Sequence, residues 1–201
     1  MANVDMFRVT QHLHLVGAAS LATIVIGIAL GIVAYLYGWM RPGILWIADI
    51  LQTIPVLALL GFIMLVFGPG AATVITGIML YSLLPVIRNT YVGLSGVSPA
   101  IKEAAQGMGM TKLQAMVRVE LPLATPIIFA GIRIAVVTSI GIAVFGSVAG
   151  GGGLGITLNR AVLIRDMPTL LIATGILMSM AVSFDVIMGA IEKHLKAKSR
   201  T

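Results

Sequence analysis

The sequence predicts an all-α integral membrane protein with five transmembrane helices, and three observations predict it. Hydrophobic residues make up 59% of the 201 positions and charged residues only 10%, against roughly 25% charged in an average soluble protein. Mean hydropathy is +1.07, so most of the exterior has to face lipid. The apolar residues also fall into long uncharged runs, with the charges gathered between them as in spans and loops. A soluble enzyme, a disordered tail and a disulfide scaffold are excluded together. Cysteine is absent, which removes thiol chemistry. The net charge of +6 is carried by loop cations and reads as membrane topology rather than affinity for nucleic acid. His12, His14 and His194 lie near the chain ends without further ligands beside them, so no metal site is expected.

The elements follow in order. No residue between Arg8 and Arg41 carries a full charge, and residues 15–37 at 1.5 Å each cover ~34 Å, enough for a hydrocarbon core of ~30 Å. This first span is too long for a signal-peptide core and is expected to stay in the mature chain. Its Gly27 and Gly31 form a small-xxx-small face suited to close helix packing. The next uncharged run is too long for one helix and is broken by Gly68-Pro69-Gly70, which gives a second span at residues 44–67 and a third at 71–87. Charges return over residues 88–122 with Arg88, Lys102, Glu103, Lys112, Arg118 and Glu120. Short helices are expected in this loop around Ser98-Pro99, where serine can cap and proline can occupy the first turn. A fourth span at residues 123–148 is followed by a glycine-rich connector bearing Arg160, Arg165 and Asp166, and a fifth runs over 168–190. Pro55, Pro85 and Pro126 interrupt spans and each frees a backbone carbonyl.

Orientation comes from the cations. One side collects Arg41, Arg88, Lys102, Lys112, Arg118, Lys193, Lys196, Lys198 and Arg200, nine in all, and the other collects Arg8, Arg160 and Arg165. The nine-cation side is expected to be cytoplasmic, with the N-terminus outside and the C-terminus inside.

The long loop then carries the most informative pattern: Glu103-Ala104-Ala105, three residues, Gly109, nine residues, Val119, one residue, Leu121-Pro122. It resembles the EAA loop of bacterial ABC-importer permeases, with Val119 in place of the usual isoleucine. Small Ala104 and Ala105 permit close approach of another surface, and Gly107 and Gly109 permit a tight turn. Beyond Thr111, Leu113, Met116 and Val117 alternate with Lys112 and Arg118, so a short amphipathic helix can lie across a partner. The resemblance implies that these residues seat in a groove of a separate ATP-hydrolysing subunit, with Glu103 as a polar anchor.

The likeness extends over roughly residues 45–195, through Leu51-Gln52-Thr53-Ile54-Pro55, Leu84-Pro85-Val86-Ile87-Arg88-Asn89-Thr90-Tyr91, Ala130-Gly131-Ile132-Arg133 and Gly150-Gly151-Gly152-Gly153-Leu154-Gly155. These segments are similar to the short permease subunits of osmoprotectant importers, which carry glycine betaine, carnitine or choline. The methionine importer permease is the competing relative, and the segment from Ile87 to Tyr91 favours the quaternary amines. The resemblance implies a functional dimer with a second permease copy or a paralogue, a cytoplasmic ATPase pair holding ATP and Mg, and an extracytoplasmic binding protein. No cofactor is expected on this chain, because it holds no phosphate-binding Gly-x-x-x-x-Gly-Lys-Ser/Thr loop. Gly150, Gly152 and Gly155 spell GxGxxG but follow a span, not a strand, so a turn at the outer mouth is expected instead.

Asp49, Arg133 and Asp185 fall in or near lipid, where an unpaired charge costs at least ~2.5 kcal/mol, so Arg133 is expected to pair with Asp49 or Asp185 as a structural lock. Gln52, Thr53, Tyr81, Ser82, Thr138 and Ser139 are candidates to line a translocation path. Arg160, Arg165 and Asp166 are candidates to touch the binding protein. No aromatic cluster suited to a quaternary ammonium is visible, so the selective site is expected on the binding protein. A self-contained secondary transporter is the rival of a different class, and the absence of an inverted repeat argues against it.

Overall fold

The structure is a computed structural model that describes residues 5–198; Arg200, one of the tail cations, lies outside them. Nine α-helices follow one another among the described residues: α1 (Met6–Leu36), α2 (Arg41–Thr53), α3 (Val56–Phe67), α4 (Ala71–Ser95), α5 (Pro99–Gly107), α6 (Lys112–Ala115), α7 (Leu121–Ile142), α8 (Leu154–Leu163) and α9 (Met167–Lys198). A π-helical turn, Met116–Glu120, joins α6 to α7, and a 3-10 turn, Ala143–Ser147, extends α7. Four helical runs are long and apolar enough to cross a membrane, and the α2–α3 pair makes a fifth if its two bent halves count as one span.

The core is α4 held between α1 and α7. Here small residues let backbones approach closely: a Cβ at Gly27 would come within 2.7 Å of the Val86 side chain, and one at Gly31 within 2.5 Å of Thr90. The expected small-xxx-small face is therefore the α1–α4 seam. On the other flank of α4, Gly131 of α7 lies against the Pro85 carbonyl and Asn89, where a Cβ would meet the oxygen at 2.5 Å. Leu15, Val16, Val74, Ile78 and Ile140 close one end of this three-helix core. Leu94, Ala124 and Ile128 close the other. His12 is fully buried, with Nε2 3.1 Å from the Ile140 carbonyl, and so ties α1 to α7.

Every expected span differs from the structure at one boundary or more: the fifth runs on to Lys198 instead of ending at residue 190, and the helical run of the fourth starts at Lys112 instead of residue 123. The second span, expected unbroken over residues 44–67, bends by 105° between α2 and α3. Pro55 supplies no N–H, and Ile54 before it is extended at φ −67°, ψ 129°, as a residue preceding proline prefers. The third span does not stop at residue 87 but continues to Ser95. Its charge is satisfied on the helix, because Arg88 pairs with Asp49 at 3.1 Å and the Arg41 guanidinium donates to the Tyr91 hydroxyl. The first helix begins at Met6 rather than near residue 15, capped where the Asp5 carboxylate accepts from the Phe7 amide at 3.0 Å.

Pro85 sits inside α4 without breaking it. It frees the Tyr81 carbonyl four residues back, and Gln52 Nε2 of α2 donates to that oxygen at 2.9 Å. The glycine-rich connector is packed rather than slack: Gly150, Gly152 and Gly153 take φ of 75°, 87° and 75°, the Gly70 amide donates to Ala149 O, and the Gly153 amide donates to Gln11 Oε1.

Gly31→Val should destabilise the solubilised protein by about 1–3 kcal/mol, the usual cost of overpacking a closed seam, read as a lower thermal unfolding midpoint. Gly61→Ala, where an added Cβ would meet nothing within 4 Å, should not lower the midpoint and should raise it slightly, as alanine favours a helix interior over glycine.

Candidate functional site

The loop between α4 and α7 folds into two short helices and a tight turn at the end of the bundle where α1 and α4 finish and α7 begins. Pro99 occupies the first turn of α5, as its missing N–H allows. The Ser98 side chain, expected as the cap, makes no capping bond; its backbone carbonyl instead accepts from the Ile101 and Lys102 amides. α5 ends through Gly109, whose φ of +79° is left-handed, while the Met110 amide reaches back to Ala105 O at 3.2 Å. Glycine is needed here because a Cβ is strained in that conformation. Gly107, expected to share the turn, is instead the last residue of the helix.

α6 starts on a reciprocal capping box: the Thr111 hydroxyl accepts from the Gln114 amide at 3.3 Å, and Gln114 Oε1 accepts from the Thr111 amide at 2.9 Å. Thr-x-x-Gln was legible in the sequence and is the signal that fixes this start. The amphipathic face expected of Leu113, Met116 and Val117 is split. Leu113 is 66% exposed and Val117 51%, while Met116 is buried. Leu113 and Val117, four residues apart, share the outward side, and Met116 between them turns toward the bundle.

The loop therefore has two faces. Glu103, Ala104 and Gln106 are exposed, as are Met108, Gly109, Leu113 and Val117; Glu103 has no hydrogen bond or ion pair among the described residues. Ala105 is buried at 1% exposure, and Ala115 and Met116 also face inward. Val119 and Leu121 are half-buried, and Leu121 packs against the Leu94, Ala124 and Ile128 cluster. Pro122 is exposed at the start of α7.

Arg133 is the centre of a second cluster. Its Nε and Nη2 donate to the two Asp185 carboxylate oxygens, both at 2.7 Å, a bidentate fork from α7 to α9. Its Nη1 donates to Glu192 Oε2 at 3.1 Å, and Lys196 reaches the other Glu192 oxygen at 2.6 Å. Asp185 is thus the partner and Asp49 is not: α2 runs antiparallel along α4, and this brings Asp49 to Arg88. Glu192 was missed, although it lies seven residues past Asp185 and so on the same helix face. Gly189 between them leaves room, since a Cβ there would come within 3.1 Å of Arg133 Nη1.

Of the path candidates, Ser82 and Ser139 meet across α4 and α7 at 3.1 Å and are both buried. Gln52 meets the backbone of Tyr81. Thr53 is exposed at the α2–α3 break, its hydroxyl returned to Ile50 O. Thr138 stands apart from the others, in a cleft of about 390 Å³ beside Arg133 and Asp185. The six do not line one surface: the serine pair is closed off between its helices.

At the opposite end of the bundle, Arg160 and Asp166 line a cleft of about 420 Å³ together with Asp5 and Arg8. Asp166 starts α9, accepting from the Thr169 hydroxyl at 2.6 Å and from its amide at 3.2 Å. These bonds hold its carboxyl below the usual carboxylate range. Arg165 is exposed in a left-handed conformation at φ 56° and is not part of the cleft lining.

Residues 23–197 match the family described as binding-protein-dependent transport system inner membrane component. The chain is 43% identical over 172 residues to the glycine betaine/carnitine/choline transport system permease protein OpuCD of Bacillus subtilis, covering 85% of this chain and 75% of that one. It is 37% identical over 193 residues to the osmoprotectant import permease protein OsmW of Salmonella typhimurium, covering 94% and 90%. Among solved structures, a chain of the MetNI methionine ABC transporter in an inward-facing form superposes with a TM-score of 0.83 at 20% identity, covering 92% of this chain and 93% of that one. At that identity the likeness shows the fold alone.

A double-mutant cycle on Arg133→Gln and Asp185→Asn tests the α7–α9 lock. Both single variants should unfold at lower temperature than the parent, and the double variant should lose less than the two losses added together, as coupled partners do.

Proposed function

This chain belongs to the family of binding-protein-dependent transport system inner membrane components, and from that premise we propose that it is the permease subunit of an ATP-driven importer of quaternary-amine osmoprotectants. The observation that carries the reading is the outward face of α5 and α6. A carboxylate with no partner among the described residues, Glu103, and the exposed Leu113 and Val117 lie between the end of α4 and the start of α7, on the Glu-Ala-Ala to Leu-Pro spacing. A partner surface covers the apolar groups and pairs the carboxylate. ATP and Mg belong to that partner, an ATPase pair; this chain binds and moves.

Nine of the twelve loop and tail cations counted in the sequence support a cytoplasmic loop, with the N-terminus outside and the cleft of Arg160 and Asp166 turned to the binding protein. A second permease copy or paralogue completes the pathway, since one copy of five spans encloses little. ATP-driven closure of the ATPase pair moves the loop, and the helices attached to it alternate between outward and inward openings. Glycine betaine, carnitine and choline are favoured over methionine as cargo by the relatives at 37–43% identity.

Two measurements check this. Cells lacking the chain should lose uptake of labelled glycine betaine, carnitine or choline and keep that of methionine; loss of methionine uptake alone would point to the other cargo. Gly109→Val should lower recovery of the ATPase with the solubilised permease by roughly tenfold, the factor given by a left-handed strain of ~1–2 kcal/mol.

A further inference from the structure

The inward face of the loop carries a polar cluster that docking does not use. Lys102, one residue before Glu103, turns its side chain away from the exposed face and back into the bundle. Its Nζ donates to the Tyr35 hydroxyl at 2.9 Å and to the Leu94 carbonyl at 3.0 Å, and lies 3.9 Å from Glu120 Oε2. The Tyr35 hydroxyl in turn donates to the same Glu120 oxygen at 2.6 Å. The ammonium also stands 4.9 Å from the centre of the Tyr35 ring, within cation–π range. Glu120 is 8% exposed and buried among helices.

The positions of these groups along the chain matter more than their number. Tyr35 is in the last turn of α1, Leu94 in the last turn of α4, and Glu120 is the residue immediately before α7. Leu94 O belongs to the helix end where carbonyls lack an amide partner, so a lysine there completes the helix and complements its dipole. One ammonium on α5 therefore joins the loop to the three helices that form the core. Each bond involves a charged group in a partly buried site, where hydrogen bonds are stronger than in open solvent. Beside this network, α5 is attached to the bundle through the chain linker at Gly96-Val97-Ser98 and by packing on α6 and on the π turn that leads into α7.

We propose that Lys102, with Tyr35 and Glu120, is the pin that makes α1, α4 and α7 move together with the loop, so that these positioning residues set how much substrate is carried per ATP consumed. This rests on the importer reading above. Lys102 touches neither nucleotide nor cargo and acts through the helix ends it holds. Removing the pin leaves the exposed face of Glu103, Ala104 and Leu113 available to the ATPase but lets that subunit close without carrying all three helices with it.

The test uses the complete transporter, permease with ATPase and binding protein, in proteoliposomes, with uptake of labelled glycine betaine and ATP hydrolysis measured on the same vesicles. Lys102→Met should lower uptake per ATP by about tenfold, the effect of losing a charged hydrogen bond, with the ATPase still bound in full. Tyr35→Phe, which removes one hydroxyl and leaves the ring, should lower it by a smaller factor in the same direction, and it carries the test if Lys102→Met fails to reach the membrane. Lys102→Arg should restore most of the ratio. An unchanged ratio in Lys102→Met and Tyr35→Phe overturns the proposal, as does loss of the ATPase in step with loss of uptake, which would make the cluster part of the docking surface. Absence of ATP-driven uptake of any quaternary amine by the parent protein would instead overturn the importer reading.

Discussion

The fold depends on how closely other backbones can approach α4. Gly27 and Gly31 on one side and Gly131 on the other bring α1 and α7 to a distance at which a single added Cβ would strike a side chain or a carbonyl oxygen. In lipid there is no hydrophobic gain from bringing apolar helices together, so packing at this range is what holds them. The three-helix core then fixes everything attached to it. α2 lies along α4, the glycine connector caps the bundle at one end, and the loop between α4 and α7 protrudes at the other.

A bilayer also offers no water to satisfy backbone groups, and the polar residues of the spans answer that constraint one by one. Gln52 donates to the carbonyl that Pro85 frees. Ser82 and Ser139 satisfy each other, and Ser139 also donates to Ala135 O. Arg133 is neutralised by two carboxylates on α9. Part of the intramembrane polarity that looks like a pathway in the sequence is thus structural, because Gln52, Ser82, Ser139 and Arg133 each meet a partner on a neighbouring helix.

The loop divides its labour between two faces. Glycine at position 109 and the Thr111–Gln114 capping box fix its local shape without help from the bundle. Glu103 on its outward face has no partner among the described residues, and Lys102 on its inward face is bonded to helix ends. The arrangement suits a part that has to be rigid toward the membrane and available toward a partner.

What the amino-acid sequence determined by itself is what depends on local chemistry: the membrane class from composition, the existence and order of the apolar runs, the turn at Gly109 and the loop pattern from 103 to 122. These follow from residue type and spacing, which act over a few residues. The bend at Pro55 was legible as an interruption, but its 105° angle was not, since the angle depends on what α3 packs against. The sequence left Arg133 a choice between Asp49 and Asp185, and only the antiparallel placement of α2 on α4 removed Asp49 by giving it Arg88. Likewise, Lys102, Tyr35 and Glu120 read as isolated loop and helix-end residues until the ends of α1, α4 and α7 are brought together. Partners 67 and 85 residues apart in the chain are chosen by packing, and no short-range pattern encodes them.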